Sequence, residues 1–242
     1  MLFTATALTL VAVDALGAGS GDLQPSALRV LVMSVVGLLA LLFWPGLAAT
    51  TARSVMHVVA WSAAATLLAA LVLGMTPRAL QPLAAVFSSC LMLLLMLLVA
   101  HTLAALLQAL LRAPAGHPHG ASETAGRTLA CALALAGALP LWLGPLAELL
   151  SARHAWIIDA VIAASPLTHL AVASGNDLLR NQWLYQHANL AALPFSYPEL
   201  RDVLMFYAAA VLGLALMVLA IARQRRAVAD LEPNDPATEL TP

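Results

Sequence analysis

Residues 140–180 read PLWLGPLAELLSARHAWIIDAVIAASPLTHLAVASGNDLLR, apolar enough for a membrane yet interrupted where an ordinary spanning helix is not. Ser165 followed by Pro166 is a helix start: the serine hydroxyl accepts from a free N–H of the first turn, and proline at the first helical position forfeits no hydrogen bond. Gly175 followed by Asn176 is a helix stop and a second start. Beyond it, DLLRNQWLYQH carries Leu178, Leu179, Trp183 and Leu184 in a short amphipathic pattern. The expected product is a hairpin of two short helices joined at Gly175. Broken helices persist at membrane depth only where protein or enclosed water satisfies the freed backbone groups, so the hairpin is expected against other spans.

The surrounding chain is of the same character. Hydrophobic residues make up 62% and charged residues 10% of 242 residues, which no single water-soluble core absorbs. A span across the hydrocarbon needs roughly 20 apolar residues. Such runs occur at 27–48, 55–75, 83–111, 128–150 and 203–222, and residues 1–17 are expected to be a further span. That first segment has no Lys or Arg ahead of its apolar part and carries Asp14 near its end, so a retained span is expected in preference to a cleaved signal peptide. The fold class is therefore all-α: a polytopic membrane protein of about six transmembrane helices with a re-entrant helical hairpin before the last span. Residues 1–226 form the transmembrane domain, and the acidic, proline-containing residues 227–242 form a disordered cytoplasmic tail.

The 11 basic residues are all Arg. Arg223, Arg225 and Arg226 follow the last span directly, which places the C-terminal tail in the cytoplasm. With six spans, Arg53, Arg112 and Arg127 lie in internal loops. With a seventh span over 155–175, Arg29, Arg78 and Arg153 take their place, so the arginine count alone does not choose. Trp183, Tyr185, Phe195 and Tyr197, with Pro194 and Pro198 among them, make an aromatic, turn-rich stretch suited to the interface before the last span.

This order, a broken apolar stretch with SPLTHLAVASGNDLLR, an external loop and a last span with a basic exit, resembles the permease subunit of type-2 ATP-binding-cassette (ABC) exporters. In that family a similar Ser- or Asn-Pro-Leu-Thr motif, followed about a dozen residues later by Arg, lies in re-entrant helices between the last two spans. The matching residues are Ser165, Pro166, Leu167, Thr168 and Arg180, and the resemblance makes them candidates for an external gate. It implies alternating access powered by a cytoplasmic ABC ATPase subunit that holds ATP and Mg, together with a homodimeric or sister permease partner. The broken-hairpin reading with six spans itself predicts that Thr168 and Arg180 are reachable from outside. Neither a cofactor in this chain nor a nucleic-acid partner is expected, and the substrate class favoured by an apolar bundle is lipid-like or amphipathic.

The absence of Lys supports the division of labour. A P-loop of the form GxxxxGK[ST] needs a Lys ammonium at the phosphates, so this chain is not expected to be an enzyme, and hydrolysis is assigned to a partner. Residues 49–54 and 112–127 are the internal segments available for docking, with Arg53, Arg112 and Arg127 as the charges to test. Abundant Ala, Leu and Arg without Lys suggests a GC-rich bacterial gene, hence a multi-pass protein of the bacterial cytoplasmic (inner) membrane.

Other chemistry is weaker. His117 and His119 stand in a Pro- and Gly-rich connector with Glu123 the only nearby carboxylate, too few ligands for a structural metal site. Cys90 and Cys131 fall within spans and are expected to behave as small buried hydrophobes. Asp159 is expected to pair near the surface with Arg153 or His154. Ser165 and His169 are four apart and can meet on one helical face, but capping accounts for Ser165 without a nucleophile. His57 and His101, alone on apolar spans, are expected to make interhelical hydrogen bonds. A non-transport membrane scaffold subunit is the alternative function, and an intramembrane enzyme using Ser165, His169 or Asp159 ranks after it.

Overall fold

A computed structural model of the chain describes residues 25–43, 51–75, 82–111, 118–143, 155–178 and 196–229. Among these residues the regular structure is entirely helical: α1 (Pro25–Leu42), α2 (Thr51–Gly74), α3 (Leu83–Leu111), α4 (Pro118–Leu143), α5 (Ala155–Ala164), α6 (Pro166–Ser174) and α7 (Leu200–Ala229).

Three segments are long and apolar enough to cross a membrane: Val55–Gly74 with 20 residues, Leu83–Gln108 with 26 and Leu200–Ile221 with 22. Ser26–Leu42 is a shorter apolar helix, and α5 with α6 has the apolar length of a span but bends by 75° at its break. The chain is an all-helical membrane protein.

Helix α3 lies at the centre of the packing. Its Met92, Leu93, Leu97 and Ala100 meet Met33, Val36 and Leu41 of α1, Ala65, Ala69 and Leu73 of α2, and Val203 and Tyr207 of α7. On α2 the buried positions Ser62, Ala65, Ala69 and Leu73 recur once per turn, and small side chains there let the helix backbones approach closely. The opposite face of α2 exposes Leu67, Leu68 and Leu71, and α7 exposes Leu212, Leu216 and Met217. Only 6% of the α7 segment is buried in the protein, an arrangement that hydrocarbon tolerates because lipid tails are as apolar as leucine.

Neighbouring helices alternate in direction. Val58 in the first half of α2 and Ala104 near the end of α3 form one cluster, against which Leu129 from the middle of α4 packs. At the other end of the bundle, the beginnings of α1 and α3 meet the end of α6, through Arg29, Ser88, Ser89 and Ser174.

Several expected boundaries move. Helix α4 begins at Pro118 and not at Thr128, because proline suits a first helical position and the residues after it contain no further proline before Pro140. Arg127 and His119 are therefore on a helix, not in a loop. Arg53 sits in the first turn of α2. Helix α7 continues through the arginine cluster to Ala229, past the expected start of the tail at residue 227. Cys131 is exposed on the bundle surface and Cys90 is half-buried, so neither is the fully buried thiol expected. The expected first span at residues 1–17, the flanking segments 44–48 and 144–150, and the tail from residue 230 lie outside the described residues.

Candidate functional site

The SPLT motif forms the joint of the bent pair. Ser165 is extended, at φ −78° and ψ 119°, and its Oγ accepts from the Thr168 N–H across a long 3.5 Å contact. Its carbonyl already accepts the first intrahelical bond, from the His169 N–H at 3.2 Å. These are the marks of an N-cap, and Pro166 follows at the first helical position. The same Ser165 Oγ donates to the Gly137 carbonyl of α4 at 3.3 Å. Pro140, inside α4, has no N–H to give the preceding turn, where Gly137 lies.

Helix α6 ends at Gly175, whose φ of 66° is left-handed and open to glycine without a steric cost. Its N–H donates to the Val172 carbonyl at 3.1 Å, and the Asn176 N–H donates to the Ala171 carbonyl at 2.9 Å, the paired bonds of a Schellman motif. Two carbonyls remain at this end, and side chains from other helices take them. Ser88 Oγ of α3 donates to the Ala173 carbonyl at 2.5 Å, and Arg29 Nη2 of α1 donates to the Ser174 carbonyl at 2.7 Å. Ser89 Oγ lies 3.0 Å from Ser174 Oγ. Arg29 is only 3% exposed, so its charge sits in the protein at the negative end of a helix.

Midway along α6, His169 is held from two sides. Its Nε2 lies 2.7 Å from the Ala163 carbonyl, which can only accept, so this nitrogen carries the proton; Nδ1 then accepts from the Tyr207 hydroxyl at 3.1 Å. The Tyr207 ring stands edge-on to the imidazole at 82°. This network spans the bend from α5 to α6 and ties both to α7. Ser165 and His169 do not form a nucleophile–base pair: the hydroxyl is engaged by Gly137 and Thr168, and both ring nitrogens are engaged elsewhere.

Thr168 is buried, at 1% exposure, and its Oγ1 has no partner among the described residues. This overturns the expectation that Thr168 is reachable from outside, because the capped first turn of α6 packs inward against the bundle. Pro166 is buried as well and Leu167 is half-buried. Arg180, Arg112, Arg153, His154, Trp183, Tyr185 and Phe195 lie outside the described residues, as does the amphipathic helix expected beyond Gly175. A bend between two short helices is observed at Ser165, where a new helix was expected to start; the second arm of the hairpin expected at Gly175 falls on residues 179–187, outside the described residues. Asp159 receives the Ser196 N–H at 3.4 Å, and Tyr197 donates to Asp177 Oδ1 at 2.6 Å, so the aromatic stretch returns to the bent pair just before α7.

His101 joins three helices. This fully buried residue places Nδ1 2.8 Å from Ser62 Oγ of α2 and Nε2 3.4 Å from the Ala40 carbonyl of α1, which also accepts from Trp61 Nε1 at 2.9 Å. Ala40 lies in the last turn of α1, where carbonyls have no intrahelical partner. Residue spacing does not announce such a cross-helix set, although an interhelical role for His101 was the expectation. His57 is exposed on α2, and Arg127 on α4. Among the described residues, no group of three His, Cys, Asp or Glu side chains is placed to hold a metal ion.

Comparison with models of protein families, with curated proteins and with solved structures finds no match to this chain.

Proposed function

We propose that the protein is the permease subunit of an ABC-type exporter, with about six spans, in a bacterial inner membrane, powered by a separate ATPase subunit that binds ATP and Mg. The observation that carries this reading is the bent pair. Helices α5 and α6 break by 75° at the Ser-Pro of the motif, and α6 ends against the starts of α1 and α3. In this reading the pair is re-entrant: it would dip into the bundle, return to the starts of α1 and α3, and close the outer end of a path through the helices.

The charges support the same orientation. Alternation of the helices puts the start of α2 with Arg53 and the first half of α4 with Arg127 toward one end, beside the end of α3 that precedes Arg112. Helix α7 runs about 30 Å from Val203 to Arg223, toward that same end. The cluster Arg223, Arg225 and Arg226 at the exit of the last span marks that end as cytoplasmic in this reading, although Arg29 and Arg201 stand at the other end. ATP-driven closure of the partner would press on the segments around Arg53, Arg112 and Arg127 and tilt the helices as rigid bodies, in a homodimer or with a sister permease.

Gentle purification in a lipid-preserving detergent, with identification of the co-purifying chains, tests this reading. An ABC ATPase whose hydrolysis depends on this chain is the expected result. Recovery of the intact protein without any ATPase would point instead to a scaffold subunit.

A further inference from the structure

We propose that a narrow cavity between α1, α3, α4 and α6 holds an acyl chain of a bilayer lipid. The cavity measures about 110 Å³, and its walls include Gly37 and Leu41 of α1, Leu97 of α3, Ala134 of α4 and Leu167 of α6. The inference needs only the membrane placement of the helices and is independent of any ATPase.

Shape is the first argument. The lining on α1 runs from Leu31 to Leu41, about 15 Å at the rise of an α-helix. A compact cavity of roughly 150 Å³ accommodates a benzene ring. A volume drawn out along that length and partly open to the outside suits one unbranched chain. Gly37 and Gly137 line it from different helices, where an added Cβ would meet Leu93 Cδ1 at 3.2 Å and Leu167 Cβ at 3.6 Å.

Chemistry is the second. Enclosed water needs two to four polar partners. Ser34 is the one residue with a polar side chain in this lining, and its Oγ has no hydrogen-bond partner among the described residues. One hydroxyl is too few to hold water, while an empty cavity leaves its walls without dispersion partners. In hydrocarbon the group at hand to supply those contacts is an acyl chain. Because Pro166 and Leu167 form part of the wall, an occupying chain touches the joint of the bent pair directly.

The test uses the full chain in phospholipid nanodiscs containing a phosphatidylglycerol with a diazirine in one acyl chain, with adducts mapped by peptide mass spectrometry after illumination. Adducts are expected on cavity residues Met96, Leu97 and Leu170, as well as on the surface residues Leu216 and Met217, which report lipid around the bundle. Ala134→Phe should abolish the cavity adducts and keep the surface ones. Leu135→Phe, on an exposed face of α4, should keep both. Ala138→Leu is a smaller plug with the same expectation, should Ala134→Phe fail to fold. Surface labelling without cavity labelling in the unaltered protein would overturn the proposal. So would cavity labelling that persists in a folded plugged variant, or labelling of the cavity by a diazirine fatty acid but not by the phospholipid.

Discussion

Arg29 Nη2 donates to the carbonyl of Ser174 at 2.7 Å, so a charged side chain on α1 completes the buried end of the short helix α6. The first prediction follows from what its loss leaves behind. Arg29→Met strips the donor from a buried carbonyl and should destabilise the protein by about 1.5–3 kcal/mol, the range for hydrogen bonds to charged groups. Arg29→Lys keeps the charge but not the planar fork and should cost less. Thermal unfolding in detergent reads both, and an unaltered midpoint for Arg29→Met would show that the contact contributes nothing.

Ser165→Ala should cost about 1 kcal/mol, as for other N-caps, and should also free the Gly137 carbonyl. Ser165→Thr should retain most of the stability. Hydrogen exchange at the amides of Leu167, Thr168 and His169 is the sharper readout: it should quicken in the alanine variant and stay slow in the threonine one.

Gly175→Ala isolates backbone strain, because an added Cβ meets nothing within 4 Å while φ stays at 66°. The expected cost is about 1–2 kcal/mol from the left-handed conformation alone. Gly175→Asn should be milder, and equal stability of all three forms would mean that the turn rearranges at no cost.

The Ser62–His101 bond should show a coupling of about 0.6 kcal/mol, and no more than about 1.7, in a double-mutant cycle of Ser62→Ala with His101→Leu. Larger coupling would reveal rearrangement of the α1–α2–α3 junction and not the loss of one bond.

Sidedness is checked by single cysteines in a background lacking Cys90 and Cys131. The exposed positions Asp177 and Glu199 should react with an impermeant maleimide from outside. The exposed Arg127 and Arg223 should react only after the membrane is permeabilised, and Thr168 should stay protected on both sides. Labelling of Asp177 and Arg127 from the same side would defeat the re-entrant arrangement.

The legible parts of this fold were those set by local backbone chemistry. A serine before a proline starts a helix, a glycine with positive φ ends one, and both caps at Ser165 and Gly175 stand where the sequence puts them. Apolar runs likewise marked α2, α3 and the start of α7 to within a few residues. What failed depends on partners. That Thr168 is buried reflects the side of α6 that packs inward, which a nine-residue helix does not advertise. Arg29 reads as a loop charge by position alone, and its role appears only when α6 arrives at the start of α1. Helix α4 starts early because nothing in its polar first turns forbids a helix, and hydropathy does not register such turns.

The tethers of α6 also carry a consequence for biogenesis. A helix of nine residues is too short to persist alone, and three of its anchoring groups, on Arg29, Ser88 and Gly137, precede it in the chain. During synthesis this receptacle for the motif is laid down before the motif emerges, and Tyr207 arrives afterwards to engage His169. The insertion machinery therefore need not hold an unpaired break in lipid: the last helix locks a piece already seated.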